Sequence, residues 1–573
     1  MSRGPTAKNY PLLDRARHFP WAPALPILVL ALLFLVVLLG TRSTFFADTE
    51  VYVANIASVL EHHQPYTSLL EFGHLIWRPL GAFMTHPSGA GGGNILRRQI
   101  AMNLIHFNFV ASAVCAAAMW ILMRLVKGVS VTAAVLCCSA FLATNGFIVL
   151  SRTGTAYMPG LGCLLVACCC ALQASKRNSL QLAVCASVFT AVSVIFWVPY
   201  VLSAATVACA CLLAWEKGNP GRRLTKSAAL ILPVAGLVTV IAFAIAAYVR
   251  HIGTSAEFWD WVRSAAQGPR GNRQWLRVFF GLPRSFLIVG DDGVLWKQFL
   301  FRDPYAGVRW WDVLRASAWK IALFYAVMGV TALELIRKAP QRWVLLWASI
   351  AVLPALALAV AFESGSVERY LALYPAVFVA FACVLSHCSA RPARALVAFF
   401  CGVLIISNLW ASFRPLVDRQ RANSLARLGA VRTGNNADVG GLTVYTLNLR
   451  DEIAALYDPN DRSLDSIPRV EPLIPTLTTQ IANWRGLFAQ TLLETWSRGG
   501  VVWVSKRAWA DRPRREWSWV EGDDWRVHWK DLGAVLSRFK IDLGVGGLDG
   551  FNRIVDIPEN RAAATALIAP TGR

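Results

Sequence analysis

Charge is scarce in this sequence. Of 573 residues only 16% are Asp, Glu, Lys or Arg, where a soluble domain carries about a quarter. Acids are the rarer half, 34 against 56 basic residues, while 56% of the chain is hydrophobic. That balance, with a mean hydropathy of +0.46, excludes an ordinary cytosolic globular protein and a disordered one. Cysteine is also sparse. All 13 fall between Cys115 and Cys401, mostly inside apolar runs such as Cys137-Cys138 and Cys168-Cys169-Cys170, where they act as small hydrophobes. No CxxC pair has the polar setting of a zinc or redox site, and residues 412–573 hold no cysteine, so no disulfide network stabilises them. There is no Walker A sequence, no GxSxG and no solenoid repeat. The glycine string Gly544-Val545-Gly546-Gly547-Leu548-Asp549-Gly550 lacks the third glycine of GxGxxG and precedes a strand where that fingerprint follows one. What remains is a polytopic membrane protein with parts outside the bilayer.

The net charge of +22 is unevenly placed. Residues 412–573 carry 22 basic and 19 acidic residues, so all but three of the excess lies in 1–411. A basic membrane body beside a balanced tail points to anionic lipid or lipid phosphate as partner, not nucleic acid. Apolar runs of spanning length lie near 23–40, 102–123, 129–150, 155–174, 226–249, 318–336, 343–362, 370–387 and 395–411. Leu180–Trp215 is too long for one span and has Pro199 near its middle, so it reads as two spans meeting in a tight turn, giving about eleven. The first run follows Arg3, Lys8, Arg15 and Arg17 without a convincing cleavage site, and reads as a retained helix.

Placing residues 1–22 in the cytoplasm puts every short basic loop inside: Arg124/Lys127, Lys176-Arg177, Lys217/Arg222-Arg223/Lys226, Arg337-Lys338/Arg342 and Arg391/Arg394. The long loops 41–101 and 250–317 and the tail 412–573 are then outside, which in a bacterium is the periplasmic face of the inner membrane. The expected domains are therefore 1–22, a membrane domain over 23–411, and 412–573. The tail reads as a small α/β domain. Strands are expected at Leu442–Asn448, Val501–Ser505 and Phe551–Ile557, and helices at Thr476–Arg498, stopped by Gly499-Gly500, and Trp529–Lys540.

The first outer loop opens Phe45-Phe46-Ala47-Asp48-Thr49-Glu50-Val51-Tyr52, ahead of an amphipathic stretch running to about His62. A carboxylate at this point suits a general base toward an acceptor hydroxyl or a ligand for a divalent ion. The same position also suits a helix cap at Asp48, with Glu50 favoured by the dipole. Next come His74-Leu75-Ile76-Trp77-Arg78-Pro79-Leu80, the flexible Gly89-Ala90-Gly91-Gly92-Gly93, and Asn103-Leu104-Ile105-His106 at the start of the second span. Five of the nine histidines (62, 63, 74, 86 and 106) fall here without an HExxH arrangement, which leaves a structural zinc unsupported. Asn103 and His106 are i and i+3 on a helix entering the bilayer. Polar groups there line a cavity or bond another helix.

An acid just after the first span, an aromatic-Arg-Pro-Leu sequence and Asn-x-x-His opening the second span resemble the membrane glycosyltransferases of the GT-C fold. The resemblance is strongest to the protein O-mannosyltransferase and TMTC-like branches. It covers about residues 20–125 by specific residues and extends to 411 by topology. It implies a polyprenyl-phosphate-sugar donor, a catalytic acid at Asp48 and an inverting transfer at the outer membrane face. Two departures stand out. Thr49 separates Asp48 from Glu50 where that branch often has adjacent acids, and no TPR repeats follow the membrane part, so the acceptor can be a glycan, a lipid or a protein.

The second outer loop fits that chemistry on its own terms. Between Arg250 and Ser317 it has nine Arg and one Lys against six acids, and six Trp (259, 261, 275, 296, 310 and 311). Guanidinium forks match phosphate oxygens, which nominates Arg270, Arg273, Arg277 and Arg284. An interfacial helix with an aromatic belt accounts for the Trp residues equally. A third outer segment, Glu363 to Tyr370, carries Glu368-Arg369-Tyr370. In similar glycosyltransferases an Arg-Tyr pair at the outer end of a late helix lies near the donor phosphate; Arg369 can instead pair with Glu368 or snorkel to headgroups.

The expected protein is thus a polytopic α-helical membrane glycosyltransferase, hexosyl or pentosyl, with a small C-terminal α/β domain. Asp48 is its base, with Glu50 beside it. Arg78, Asn103, His106, the four loop arginines, Glu368, Arg369 and Tyr370 would surround the substrates. No cofactor is required, and a divalent cation, Mg²⁺ or Mn²⁺, is an optional addition. Two rivals share the topology. A polysaccharide polymerase or O-antigen ligase would rely on the Arg-rich second loop rather than Asp48. A non-catalytic lipid-linked-glycan transporter would need ionisable residues near the bilayer midplane, of which the spans carry few.

Overall fold

The computed structural model describes residues 47–61, 64–85, 93–214, 220–264, 274–288, 318–338, 341–361 and 366–413 of the body, and 442–446, 469–472, 484–505, 509, 532–542 and 551–568 of the tail. The expected first span, 23–40, and residues 265–273 and 289–317 of the second loop lie outside them.

Two short helices, α1 (Ala47–Glu61) and α2 (Trp77–Phe83), precede the long α3 (Gly93–Leu125). Seven described helices are long and apolar enough to cross a membrane, or eight if one bent pair counts as a span. That pair is α4 (Val131–Leu142) and α5 (Asn145–Ser151), bent by 60°. The sequence reads 129–150 as one straight span. The bend is tolerated because its freed groups find partners: Thr144 Oγ1 donates to the Phe141 carbonyl (2.9 Å) and Asn408 Nδ2 to the Ala143 carbonyl (2.8 Å).

Where two spans are expected in 180–215, α7 (Leu180–Phe196) and the helical run 198–214 are both present, each shorter than a full crossing. They follow α6 (Tyr157–Arg177) and break at Trp197, which is extended at φ −152°, ψ 107°. The break is stitched to the first outer loop. His74 Nδ1 lies 3.1 Å from the Phe196 carbonyl oxygen, and the Val198 N–H donates to the Gly73 carbonyl at 3.1 Å. The remaining spans are α8 (Pro220–Val249), α11 (Trp319–Arg337), α12 (Arg342–Ala361), α13 (Tyr374–His387) and α14 (Arg391–Phe413). Between α8 and α11 lie the amphipathic α9 (Ser255–Ser264) and α10 (Gln274–Phe286).

The two ends of the bundle differ. At one, the short basic loops cross-link themselves. Arg124 donates to the Val129 carbonyl (2.6 Å), Lys176 to the Leu125 carbonyl (2.5 Å) and Lys338 to the His387 carbonyl, while Gly128, at φ +75°, passes against the His387 ring where no side chain fits. At the other end the long loops gather. Between them runs a continuous apolar core that includes Phe141, Trp347, Phe378, Phe381 and Phe400.

The tail strands β1 (Leu442–Thr446), β2 (Arg469–Pro472), β3 (Val501–Ser505), β4 (Ile541–Asp542) and β5 (Phe551–Ile554) form one mixed sheet, ordered β2-β1-β3-β5-β4. β1 is parallel to β2 and β3, and β5 is antiparallel to β3 and β4. α15 (Trp484–Ser497) ends as the glycines require: Gly499 takes φ +70° and the Gly500 N–H reaches the Thr495 carbonyl at 2.8 Å. β2, β4 and a last helix, α16 (Pro558–Ile568), are additions to the sequence reading, which runs its last strand on to Ile557. Phe488, Leu492, Val502, Val504, Leu536 and Ile554 make this unit's own core.

Candidate functional site

The site is built from segments that meet at the long-loop end. The anchor of α1 is Thr49, fully buried, whose Oγ1 accepts the Gly154 N–H at 3.0 Å. Trp77, at the start of α2, donates its indole N–H to the Gly154 carbonyl at 2.9 Å. A Cβ on Gly154 would lie 2.7 Å from Thr49 Cγ2 and 3.0 Å from Leu104 Cβ, so only glycine lets this loop pass. Asn108 of α3 closes it from below, donating to the carbonyls of Thr153 and of Thr155, the latter at 2.7 Å. This wiring fixes residues 152–155 against the helix that carries Asp48 and against the residue before Arg78. Arg152 sits in that loop only 6% exposed, and its Nε has no hydrogen-bond partner. Burial, with no carboxylate beside it among the described residues, lowers its pKa below the usual arginine value.

Arg78, on α2, pairs with Glu71 at 2.7 Å and stacks over the Tyr52 ring at 5.3 Å. His74 stands beside it. Burial, then the charges of Arg78 and Arg369, pull the His74 pKa down to about 3, so the ring is neutral. It packs edge-on against Tyr52 and Tyr157, at 5.5 and 5.7 Å between ring centres. Arg369 arrives from the third outer segment. Its guanidinium lies 5.7 Å from the Trp197 ring centre, with Nε 4.0 Å from the buried Glu368 carboxylate. Two arginines nearly 300 positions apart in the chain therefore act on one neutral histidine.

The second loop holds this group from outside. Trp261 of α9 and Arg250 both donate to the Leu70 carbonyl, the tryptophan at 3.2 Å. Phe72 packs among Phe243, Phe258 and Trp261. Further along, α10 dips into the bundle. Its backbone is bonded by Asn145 at the Arg284 carbonyl (2.9 Å), Tyr374 at the Ser285 carbonyl (2.7 Å) and Asn408 at the Phe286 carbonyl (2.6 Å). Arg284 is within Coulombic reach of the buried Tyr370 hydroxyl, as is Glu368.

The expected site residues thus divide. Arg78 and Arg369 come together, and Glu368, Tyr370 and Arg284 form an adjoining group. Arg369 does not snorkel; its side chain is 14% exposed, shielded by Trp197 and Glu368. Asn103 serves α2 instead, donating to the Met84 carbonyl at 3.0 Å and to Thr85 Oγ1 at 3.2 Å. His106 is exposed beside Phe109 and does not join the group. Asp48 and Glu50 lie in the first described turn of α1, and Ala47 is already helical, so Asp48 is not a cap. Their side chains lie outside the described residues, as does that of Arg277. Arg270 and Arg273 are outside them altogether. Among the described residues no three His, Cys, Asp or Glu side chains group to hold a metal ion.

Glu71, Arg152 and Trp197 are additions that spacing does not give. The one signal in the sequence is at Arg152, a cation set inside the apolar stretch 131–175 and followed by the Thr153-Gly154-Thr155 turn.

No family model matches the chain, and no curated protein does. Solved structures do. The structure of ArnT from Cupriavidus metallidurans bound to undecaprenyl phosphate superposes with a TM-score of 0.50 at 11% identity, over 94% of this chain and 99% of that one. The apo state of the same protein gives 0.50 at 12% identity, over 94% and 98%. Arabinofuranosyltransferase AftD from Mycobacteria matches more loosely, with a TM-score of 0.34 at 13% identity over 93% of this chain and 40% of that one. The fold is that of ArnT, the GT-C membrane architecture expected from the sequence.

Proposed function

We propose that this chain is an integral membrane glycosyltransferase that moves a hexosyl or pentosyl group from a polyprenyl-phosphate carrier to an acceptor at its long-loop end. The observation that carries the reading is that Arg78 and Arg369 both act on His74, at the end of the bundle where the described part of α1, which includes Asp48, begins. Undecaprenyl phosphate is bound by ArnT in the structure this chain resembles, and a phosphodiester on a lipid is an anion that paired guanidiniums would take. Arg152, held beside Thr49 by the Gly154 turn, is buried with its Nε unsatisfied among the described residues, which suits it to an anionic ligand.

In this reaction Asp48 accepts the proton of the acceptor hydroxyl as that oxygen bonds to the anomeric carbon. The bond from that carbon to the phosphate oxygen breaks with inversion, and the lipid phosphate departs with one more negative charge. Arg78, Arg369 and Arg152 stabilise the added charge, which is worth most where water is excluded. The guanidiniums supply the counter-charge in these steps, and a divalent cation, Mg²⁺ or Mn²⁺, is an optional addition to them. By the distribution of basic loops the site faces the periplasm of a bacterial inner membrane, with the tail on the same side as an acceptor-docking unit.

Asp48→Asn tests the assignment. Asn is tolerated at the same helical position, and loss of a general base costs about 10²–10⁴-fold in rate. Transfer should collapse while affinity for lipid phosphate stays. If Asp48→Asn keeps full activity and arginine substitutions in 250–317 eliminate it, the polymerase or ligase reading replaces this one.

A further inference from the structure

His74 is held in one tautomer. Its Nδ1 is 3.1 Å from the Phe196 carbonyl oxygen, and a carbonyl only accepts, so Nδ1 carries the proton. With Arg78 and Arg369 both acting on the ring it stays neutral, which makes Nε2 a bare lone pair. Tyr52 and Tyr157 meet the ring edge-on and fix its plane. Among the described residues no protein donor bonds Nε2. An uncharged acceptor within Coulombic reach of two guanidiniums is an unusual thing to build. It complements a ligand that offers a neutral O–H a few ångströms from an anion, and in a glycosyl phosphate that O–H is the 2-hydroxyl, next to the carbon bearing the phosphate.

We propose that Nε2 of His74 accepts a hydrogen bond from the 2-hydroxyl of the sugar to be transferred, so that this site selects lipid-linked sugars with a free 2-hydroxyl. The inference rests on the lipid-linked-donor reading above. It also assigns the paired arginines to the phosphate and the histidine to the sugar.

The test is binding to the full-length protein in nanodiscs of three ligands: undecaprenyl phosphate, undecaprenyl-phosphoryl glucose and its 2-deoxyglucose counterpart. Two variants are compared with the wild type. His74→Asn keeps an N–H for the Phe196 carbonyl and loses the far nitrogen. His74→Phe keeps the ring packing and loses the far nitrogen. Wild type should bind the glucose ligand about tenfold more tightly than the 2-deoxy ligand, the size of one neutral hydrogen bond. Both variants should lose that preference while binding undecaprenyl phosphate as before. Equal binding of the two sugars by wild type, or a preference that survives in either variant, overturns the role of His74. Failure of wild type to bind undecaprenyl phosphate would instead overturn the donor reading, and this inference with it.

Discussion

At the scale of the residue, burial holds His74 and Arg152 below their ordinary proton affinities. His74 has an acid-stability consequence. In the unfolded chain it takes a proton below about pH 6.5, whereas in the folded protein it does so only near pH 3. Between those values the unfolded state holds more protons, so stability falls as pH falls below about 6.5. At pH 5 the loss from this one group is about 2 kcal/mol. Thermal unfolding at pH 7.5 and 5.0 should therefore show a smaller acid-induced drop in Tm for His74→Asn than for wild type; an unchanged drop would contradict a neutral His74. Arg152 gives an opposed pair of effects. A buried cation with no carboxylate beside it among the described residues does little for the fold, so Arg152→Met should leave Tm unchanged or raise it. The same change should weaken undecaprenyl phosphate binding about 10–100-fold, the range of a charge-assisted hydrogen bond. A large fall in Tm with unaltered binding would make Arg152 structural.

At the scale of the element, what was legible was whatever a periodicity or a turn residue encodes locally. Seven of the apolar runs gave described spans, the acid-rich opening of α1 gave a helix ahead of His62, and Gly499-Gly500 gave the end of α15. The contacts that assemble the site are set by partners far along the chain, and these leave no local mark. His74 is fixed by a carbonyl 122 positions away, and Asn408 closes the α4–α5 bend from 265 positions away. Of the two roles open to Asn103, lining a cavity or bonding another helix, the structure shows the second, a tie to the carbonyl and hydroxyl groups that end α2. The Arg152–Thr155 turn is one such joint, closed against α1 and α3. Gly154→Val should destabilise the protein by about 1–3 kcal/mol through overpacking against Thr49 and Leu104, measurable by chemical denaturation in detergent. It should also depress transfer, since Thr49 neighbours Asp48. A neutral Gly154→Val would mean that α1 is not braced by this turn.

At the scale of the whole molecule, the two ends of the bundle divide the work. One end is a set of short, cross-linked basic turns. The other collects the long loops, Trp197 and the arginines. If the basic turns face the cytoplasm, a reporter fused after Ser412 that is active only outside should be active, and one active only in the cytoplasm should be silent; the reverse would invert the topology and place the site on the wrong side for a lipid-linked donor. The account depends most on what the arginines hold. The most direct measurement gives purified protein in nanodiscs two labelled donors, an undecaprenyl-phosphoryl sugar and the matching nucleotide sugar, with cell-envelope acceptor, and follows the label. Transfer from the lipid-linked donor, abolished by Asp48→Asn, is the predicted result. Transfer from the nucleotide sugar alone would contradict it.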